Sequence, residues 1–162
     1  MKLLLKERYY GLHESYEIYD GQGRPYYHVE PGSGLQLRQR FDVTELPFGN
    51  AVGSIGRRWV TLLPTVELSL GGKSAGYVTM YRRWEGGFAF RLHIRDWQLT
   101  GSPRSWYYKV TGEDGTAVFS VDNPPEHKGY HVLDIADAQD APLALLTALA
   151  LESVFFTGGL GG

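Results

Sequence analysis

Arg57-Arg58-Trp59 and Arg82-Arg83-Trp84 are the residues of this chain best suited to meeting a ligand. Each motif closes a strand-like run with two cations and an indole. Neighbouring side chains of an extended chain face opposite sides, so one arginine of each pair is expected to point outward. An exposed arginine beside a tryptophan suits an anionic lipid headgroup, with the ring settling at the interface. Each basic residue near an anionic surface contributes only ~1 kcal/mol, which predicts weak binding. The competing reading is that the arginines cap strand ends and keep the edges soluble.

Other motifs carry less. Gly71-Gly72-Lys73-Ser74 looks like the end of a phosphate loop, but Glu67 stands where the first glycine of that loop belongs, and another strand follows. It reads as a glycine-rich hairpin. His127 and His131 have a spacing that shares a face only on a helix, whereas Gly129 between them marks a loop entering a strand. Asp134, Asp137 and Asp140 could offer oxygens to a cation, yet the calcium-loop spacing with its terminal glutamate is missing. They fit a solvated turn at a helix start. No Gly-x-Ser-x-Gly elbow occurs, so a hydrolase would need a site assembled in space. No catalytic residue, metal or cofactor is assigned.

Composition narrows the field. The chain has no cysteine, which removes disulfides, thiolate metal sites and a cysteine nucleophile. A formal net charge of −2 gives no bulk argument for nucleic acid. Aromatic residues make up 14%, mostly tyrosine, as suits sheet surfaces.

The elements that must position the arginines are hairpins. Tyr16–Tyr19, Val66–Leu70 and Tyr107–Val110 each lead through a Gly-containing turn into a second alternating run. A weaker unit runs from Leu35 to Ile55 through Pro47-Phe48-Gly49-Asn50, and Phe88–Ile94 and Tyr130–Ile135 add further strands. About ten to twelve strands at this spacing predict a sandwich or barrel. Residues 1–162 are read as one domain.

Only residues 141–156 read as a convincing helix, and they are apolar on every side, so protein must enclose them. Asp140 is the expected N-cap, Pro142 suits the first turn, and Gly158-Gly159 ends the helix. Sixteen residues make roughly 24 Å, matching strands of roughly 20–26 Å. Leu143, Leu145, Leu146, Leu149, Leu151, Val154, Phe155 and Phe156 supply the apolar bulk. Glu152, late in this helix, either reaches water at the barrel mouth or pairs with an arginine of the wall. A Glu152→Gln change without effect on stability would favour the mouth.

The N-terminal apolar run is three residues long, too short for a signal peptide, and the C-terminal run is too short to span a bilayer. A cytoplasmic protein is expected, peripheral to a membrane if the arginines meet lipid.

Several motifs recur together: Asp20-x-x-Gly23, Leu63-Pro64-Thr65, Gly72-Lys73, Trp97-x-Leu99-x-Gly101, the Gly129–Ile135 strand, and Pro142-Leu143-x-Leu145-Leu146. Over essentially its whole length the chain resembles the LURP-one-related family, in its bacterial YxjI-like branch. That resemblance places it with tubby C-terminal domains and phospholipid scramblases. It implies a mainly β fold, a closed antiparallel barrel of about twelve strands enclosing one hydrophobic C-terminal α-helix. These motifs are hydrophobic and turn-forming, so they speak to fold rather than activity. Tubby domains bind phosphoinositides through basic surface residues, but no such site transfers here residue by residue. Scramblase activity is not implied, because the chain shows neither a separate membrane-spanning helix nor a cysteine-rich segment. The expected function is a non-enzymatic binding or scaffold domain, weakly associated with anionic phospholipid. The alternatives are a protein-interaction module using Trp84, Trp97, Trp106 and the tyrosine pairs, or a small hydrolase.

Overall fold

The structure is a computed structural model describing residues 1–6, 15–32, 40–58 and 61–158, with side chains described as far as Val154. Twelve strands follow in chain order: β1 (Lys2–Lys6), β2 (Tyr16–Asp20), β3 (Pro25–Pro31), β4 (Arg40–Glu45), β5 (Asn50–Arg58), β6 (Thr65–Leu70), β7 (Lys73–Arg82), β8 (Phe88–His93), β9 (Gln98–Ser102), β10 (Tyr107–Thr111), β11 (Ala117–Asp122) and β12 (Tyr130–Ile135). One helix, α1 (Ala141–Gly158), ends the described chain, two residues longer than its apolar pattern predicts.

Every strand pair is antiparallel, and the sheet order is β8-β7-β6-β5-β4-β3-β2-β1-β12-β11-β10-β9. Hairpins build most of it. The β2–β3 turn shows how: Asp20 Oδ1 accepts from the backbone N–H of Gln22 at 2.9 Å and of Arg24 at 3.0 Å, while Gly23 takes the positive φ of 80°. Alternation then sends Ile18, Val29, Val43, Ile55, Val66, Val78, Phe119 and Leu133 to one interior. Closure stops one ladder short of the expected ring. β8 and β9 are joined by a tight turn, in which Trp97 N–H donates to the Ile94 carbonyl at 3.1 Å, but they share no ladder. The barrel is nearly closed, with its seam there.

The helix fills the interior. From Leu143 to Leu151 every side chain is buried, as is Val154. An all-round apolar helix has no other stable place in water. Thr147, wholly buried, returns its hydroxyl proton to the Leu143 carbonyl at 2.7 Å and so carries no unmet polar group into the core. Gly53 on β5 marks a close approach of wall and helix: a Cβ there would lie 2.8 Å from Leu146 Cδ1 and 2.2 Å from the Ser69 carbonyl oxygen.

The helix start differs from expectation. Asp137, not Asp140, caps the chain as it turns in, accepting from Gln139 N–H at 3.0 Å across a 3-10 turn that runs directly into α1. Asp140 instead holds Arg95 Nη1 at 2.9 Å. A short preceding turn moves the capping position three residues upstream, which the sequence pattern does not disclose. Asp134 faces Lys2 across the β1–β12 ladder, so the three aspartates have separate tasks.

Candidate functional site at the basic rim

In an up-and-down sheet, successive connections alternate between two ends. The registers place the turns after β2, β4, β6, β8 and β10 at the rim where α1 begins. They place the ends of β5, β7, β9 and β11 at the opposite rim, where α1 ends. Arg57-Arg58 and Arg82-Arg83 are two strands apart and therefore share that second rim.

Charge is sorted the same way. At the first rim, turns and strand ends carry Asp20, Glu45, Asp96, Glu113, Asp114, Asp134, Asp137 and Asp140 against Lys2, Arg24, Lys73 and Arg95. Arg24 and Arg95 are already tied to Asp20 and Asp140, each at 2.9 Å. The second rim carries Lys6, Arg40, Arg57, Arg58, Arg82, Arg83, Arg104 and Lys128 against Glu30, Asp42, Glu67, Glu85, Asp122, Glu126 and Glu152, with Arg40 tied to Asp42 at 3.2 Å and Arg58 to Glu67 at 2.6 Å. The net negative charge of the first rim lies at the positive end of the helix dipole and most of the cations lie at its negative end, both of which are favourable. Within a chain of net charge −2, the first rim is acidic, and the cations of the second rim stand among nearly as many acids.

The four arginines do different things. Arg57 shares the inward face of β5 with Ile55 and is half-buried, its Nε out of contact with solvent. Arg58 faces outward but is engaged. Its Nε donates to Glu67 Oε2 at 2.6 Å, and its guanidinium carbon lies 4.8 Å from the centre of the Tyr77 ring. The Arg58 guanidinium and a Ser74 hydrogen bond hold the Glu67 carboxyl below the usual range, against a smaller opposing effect of burial. Arg82 and Arg83 are exposed and form no ion pair with any described residue. Trp84 follows them on the hairpin tip and is 104% exposed. Trp59 lies outside the described residues.

Two further features of this rim escape a sequence reading. Leu62 and Leu63, on the β5–β6 connection, are exposed at 104% and 43%. A loop leucine pair gives no periodic signal, and only the shared rim links it to Trp84. Second, His131 is buried by stacking on Trp106, with centroids 3.9 Å apart and planes 4° from parallel. His131 Nδ1 meets Asn123 Oδ1, and the Asn123 amide donates to the carbonyls of Ser105 at 3.3 Å and Trp106 at 3.2 Å. This cluster ties the start of β12 to the connections after β9 and β11 on the same rim. Trp106 is half-buried and Trp97 is buried at 6% exposure, packed on Phe119, which removes both as exposed interaction aromatics.

Glu152 is half-buried in the later turns of α1, on the side of Tyr108. The Tyr108 hydroxyl is buried without a hydrogen-bond partner among the described residues; burial, with the Glu152 charge adding to it, pushes its pKa up.

For hydrolytic chemistry the structure offers one hydroxyl–imidazole pair among the bonds described. Thr79 Oγ1 lies 3.3 Å from His93 Nε2 on the outer face of β7 and β8. His93 stacks on Tyr77 at 4.3 Å. Burial, helped by nearby Arg91, lowers its pKa. The carboxylate in that row, Glu67, is committed to Arg58, and no hydrogen bond from an acid to this imidazole is present among the described residues. Among the described residues no group of three His, Cys, Asp or Glu side chains is placed to hold a metal.

A sequence model of LURP-one-related proteins matches residues 1–152. The chain belongs to the LURP-one-related family. A family relative, the uncharacterised protein YxjI of Bacillus subtilis (strain 168), is 25% identical over 157 residues, covering 96% of this chain and 94% of its own. The X-ray structure of a protein from Arabidopsis thaliana superposes with a TM-score of 0.60 at 16% identity, covering 95% of this chain and 90% of that one. That likeness concerns the barrel. No helix among the described residues of this LURP-one-related chain is long and apolar enough to cross a membrane.

Proposed function

We propose that this LURP-one-related barrel is a non-enzymatic, peripheral module that meets anionic phospholipid surfaces with its basic rim, on the cytoplasmic side. The observation that supports it most is the β7–β8 tip, where Arg82 and Arg83 stand exposed without acidic partners among the described residues, beside a fully exposed Trp84. The interior is filled by α1, which leaves the surface as the place for a ligand. Arg58 contributes through its position and Arg57 from within the mouth. At ~1 kcal/mol per exposed basic residue, affinity is weak and depends on anionic lipid density. The net acidity of the first rim adds orientation, because an anionic plane repels it and leaves the exposed Arg82 and Arg83 tip as the approaching end.

Sedimentation with phosphatidylserine-containing vesicles at low and physiological salt tests this. The barrel is expected to pellet with anionic but not neutral vesicles, and less as salt rises, since screening shortens the reach of exposed charges. Replacing Arg57, Arg58, Arg82 and Arg83 together by Ala is expected to abolish it. Equal recovery with neutral lipid, or no recovery with either, would contradict it.

A protein partner is the second reading, favoured by one surface. Tyr107 is 70% exposed beside a groove of about 280 Å³ lined by Thr100, Lys109, Ser120 and Asp122. An aromatic among such groups suits a polar peptide.

A further inference from the structure

We infer that two turns of the basic rim enter the bilayer interface as apolar fingers, Leu62 and Leu63 on one and Trp84 with Phe88 on the other. The inference rests on the lipid-surface reading and adds a binding mode to it, insertion rather than adhesion by charge alone. Six large apolar side chains are exposed among the described residues: Phe48, Leu62, Leu63, Trp84, Phe88 and Tyr107. Four of the six lie on these two connections, which are neighbours on one rim. Scattered exposed leucines need no explanation, but such concentration at one end does.

Several backbone groups of both turns are already paired within the protein. Around Leu62 and Leu63 the Leu63 carbonyl accepts from Thr61 Oγ1 at 2.6 Å and from Thr65 Oγ1 at 2.9 Å. The Pro64 carbonyl accepts from Met80 N–H at 3.1 Å, which ties this turn to β7. In the second turn Arg83 N–H donates to the Gly87 carbonyl at 3.0 Å, and Gly86 N–H to the Arg83 carbonyl at 3.1 Å. Backbone groups paired within the turn cost less to carry into a low-dielectric layer. Tryptophan favours the headgroup level, and leucine the acyl boundary below it.

The surrounding charge names the occupant. Arg82 and Arg83 adjoin Trp84 with Glu85 the single acid of the turn, while the opposite rim is net acidic. Apolar tips on convex turns with a cationic collar suit a deformable anionic layer. A bilayer accepts side chains that project; a folded partner would need a matching cleft for each.

The absence of cysteine makes the test direct. Single variants Leu62→Cys, Glu85→Cys and, on the opposite rim, Phe48→Cys are labelled with a polarity-sensitive NBD dye and mixed with phosphatidylserine–phosphatidylcholine vesicles, with sedimentation read on the same samples. Labels at positions 62 and 85 are expected to brighten several-fold, shift blue and be quenched by lipid spin-labelled near the headgroup. The label at 48 is expected to stay unchanged. Leu62→Ser with Trp84→Ser, checked for a native melt, is expected to weaken partitioning by roughly tenfold or more while salt sensitivity remains. If protein pellets but the labels at 62 and 85 keep their aqueous spectra, insertion is overturned and surface binding stands. If neither unlabelled nor labelled protein pellets, the lipid reading falls with it, and the fingers belong to a protein partner.

Discussion

A chain ending at Asp140 is expected to show no cooperative thermal transition and to remain in an expanded or aggregating state. The twelve strands would all be present, but their inner faces would enclose a void where α1 belongs. Six large apolar side chains, Leu143, Leu145, Leu146, Leu149, Leu151 and Val154, are buried in the full chain. At ~1.5–3 kcal/mol each, their removal takes away about 9–18 kcal/mol before entropy is counted. The wall side chains that touch them would lose their partners as well. Net stability of a domain is about 5–15 kcal/mol, so the loss matches or exceeds it. Far-UV circular dichroism and calorimetry of residues 1–140 check this. A soluble fragment with a sharp, reversible melt would show that the helix is an accessory rather than the core.

The second large effect is expected at Gly53. Its missing side chain lets β5 lie between β6 and α1, and an added Cβ would sit 2.2 Å from the Ser69 carbonyl oxygen and 2.8 Å from Leu146 Cδ1. The first contact is backbone, which cannot swing aside as a side chain end can. Overpacking of this kind costs about 1–3 kcal/mol or more. For a domain of this size about 3 kcal/mol lowers Tm by roughly 6–12 °C. Gly53→Ala is expected in that range and Gly53→Val beyond it. Gly21→Ala is the control, since its Cβ would meet Lys2 Cβ at an ordinary 3.5 Å. A Gly53→Ala melt indistinguishable from the parent would mean that helix and wall are packed more loosely than the geometry shows.

Much of the barrel was legible because each strand advertises itself. Period-2 alternation, Gly-containing turns and the uniformly apolar helix are local signals, and each of them survives into the structure. The Asp20 turn and the Gly71-Gly72 hairpin form as their residues require. What was hidden depends on distance in space. Trp97 reads as a surface aromatic, yet the β8–β9 turn aims it at Phe119. Asp140 reads as a cap, yet Arg95, 45 residues away, takes its carboxylate. Arg58 reads as free for a ligand, yet its outward face carries Glu67 from the next strand.

The rim itself was readable in principle. Once twelve antiparallel neighbours are accepted, alternate connections must share an end, and sorting the charged residues by connection leaves one end net acidic and gives the other most of the cations. A whole-chain net charge of −2 averages that difference away. Leu62 and Leu63 gain meaning only through it.

The central claim, that one rim of this barrel faces an anionic surface, is tested most directly by two charge-matched variants. Arg82→Glu with Arg83→Glu inverts the basic tip. Lys2→Glu with Lys73→Glu changes net charge equally, at positions near the opposite rim. Both are compared with the parent for binding to phosphatidylserine vesicles at physiological salt, after each is shown to melt normally. Loss of binding in the first variant alone is the predicted result. Equal loss in both would reduce the effect to net charge, and binding retained in the first would contradict the account.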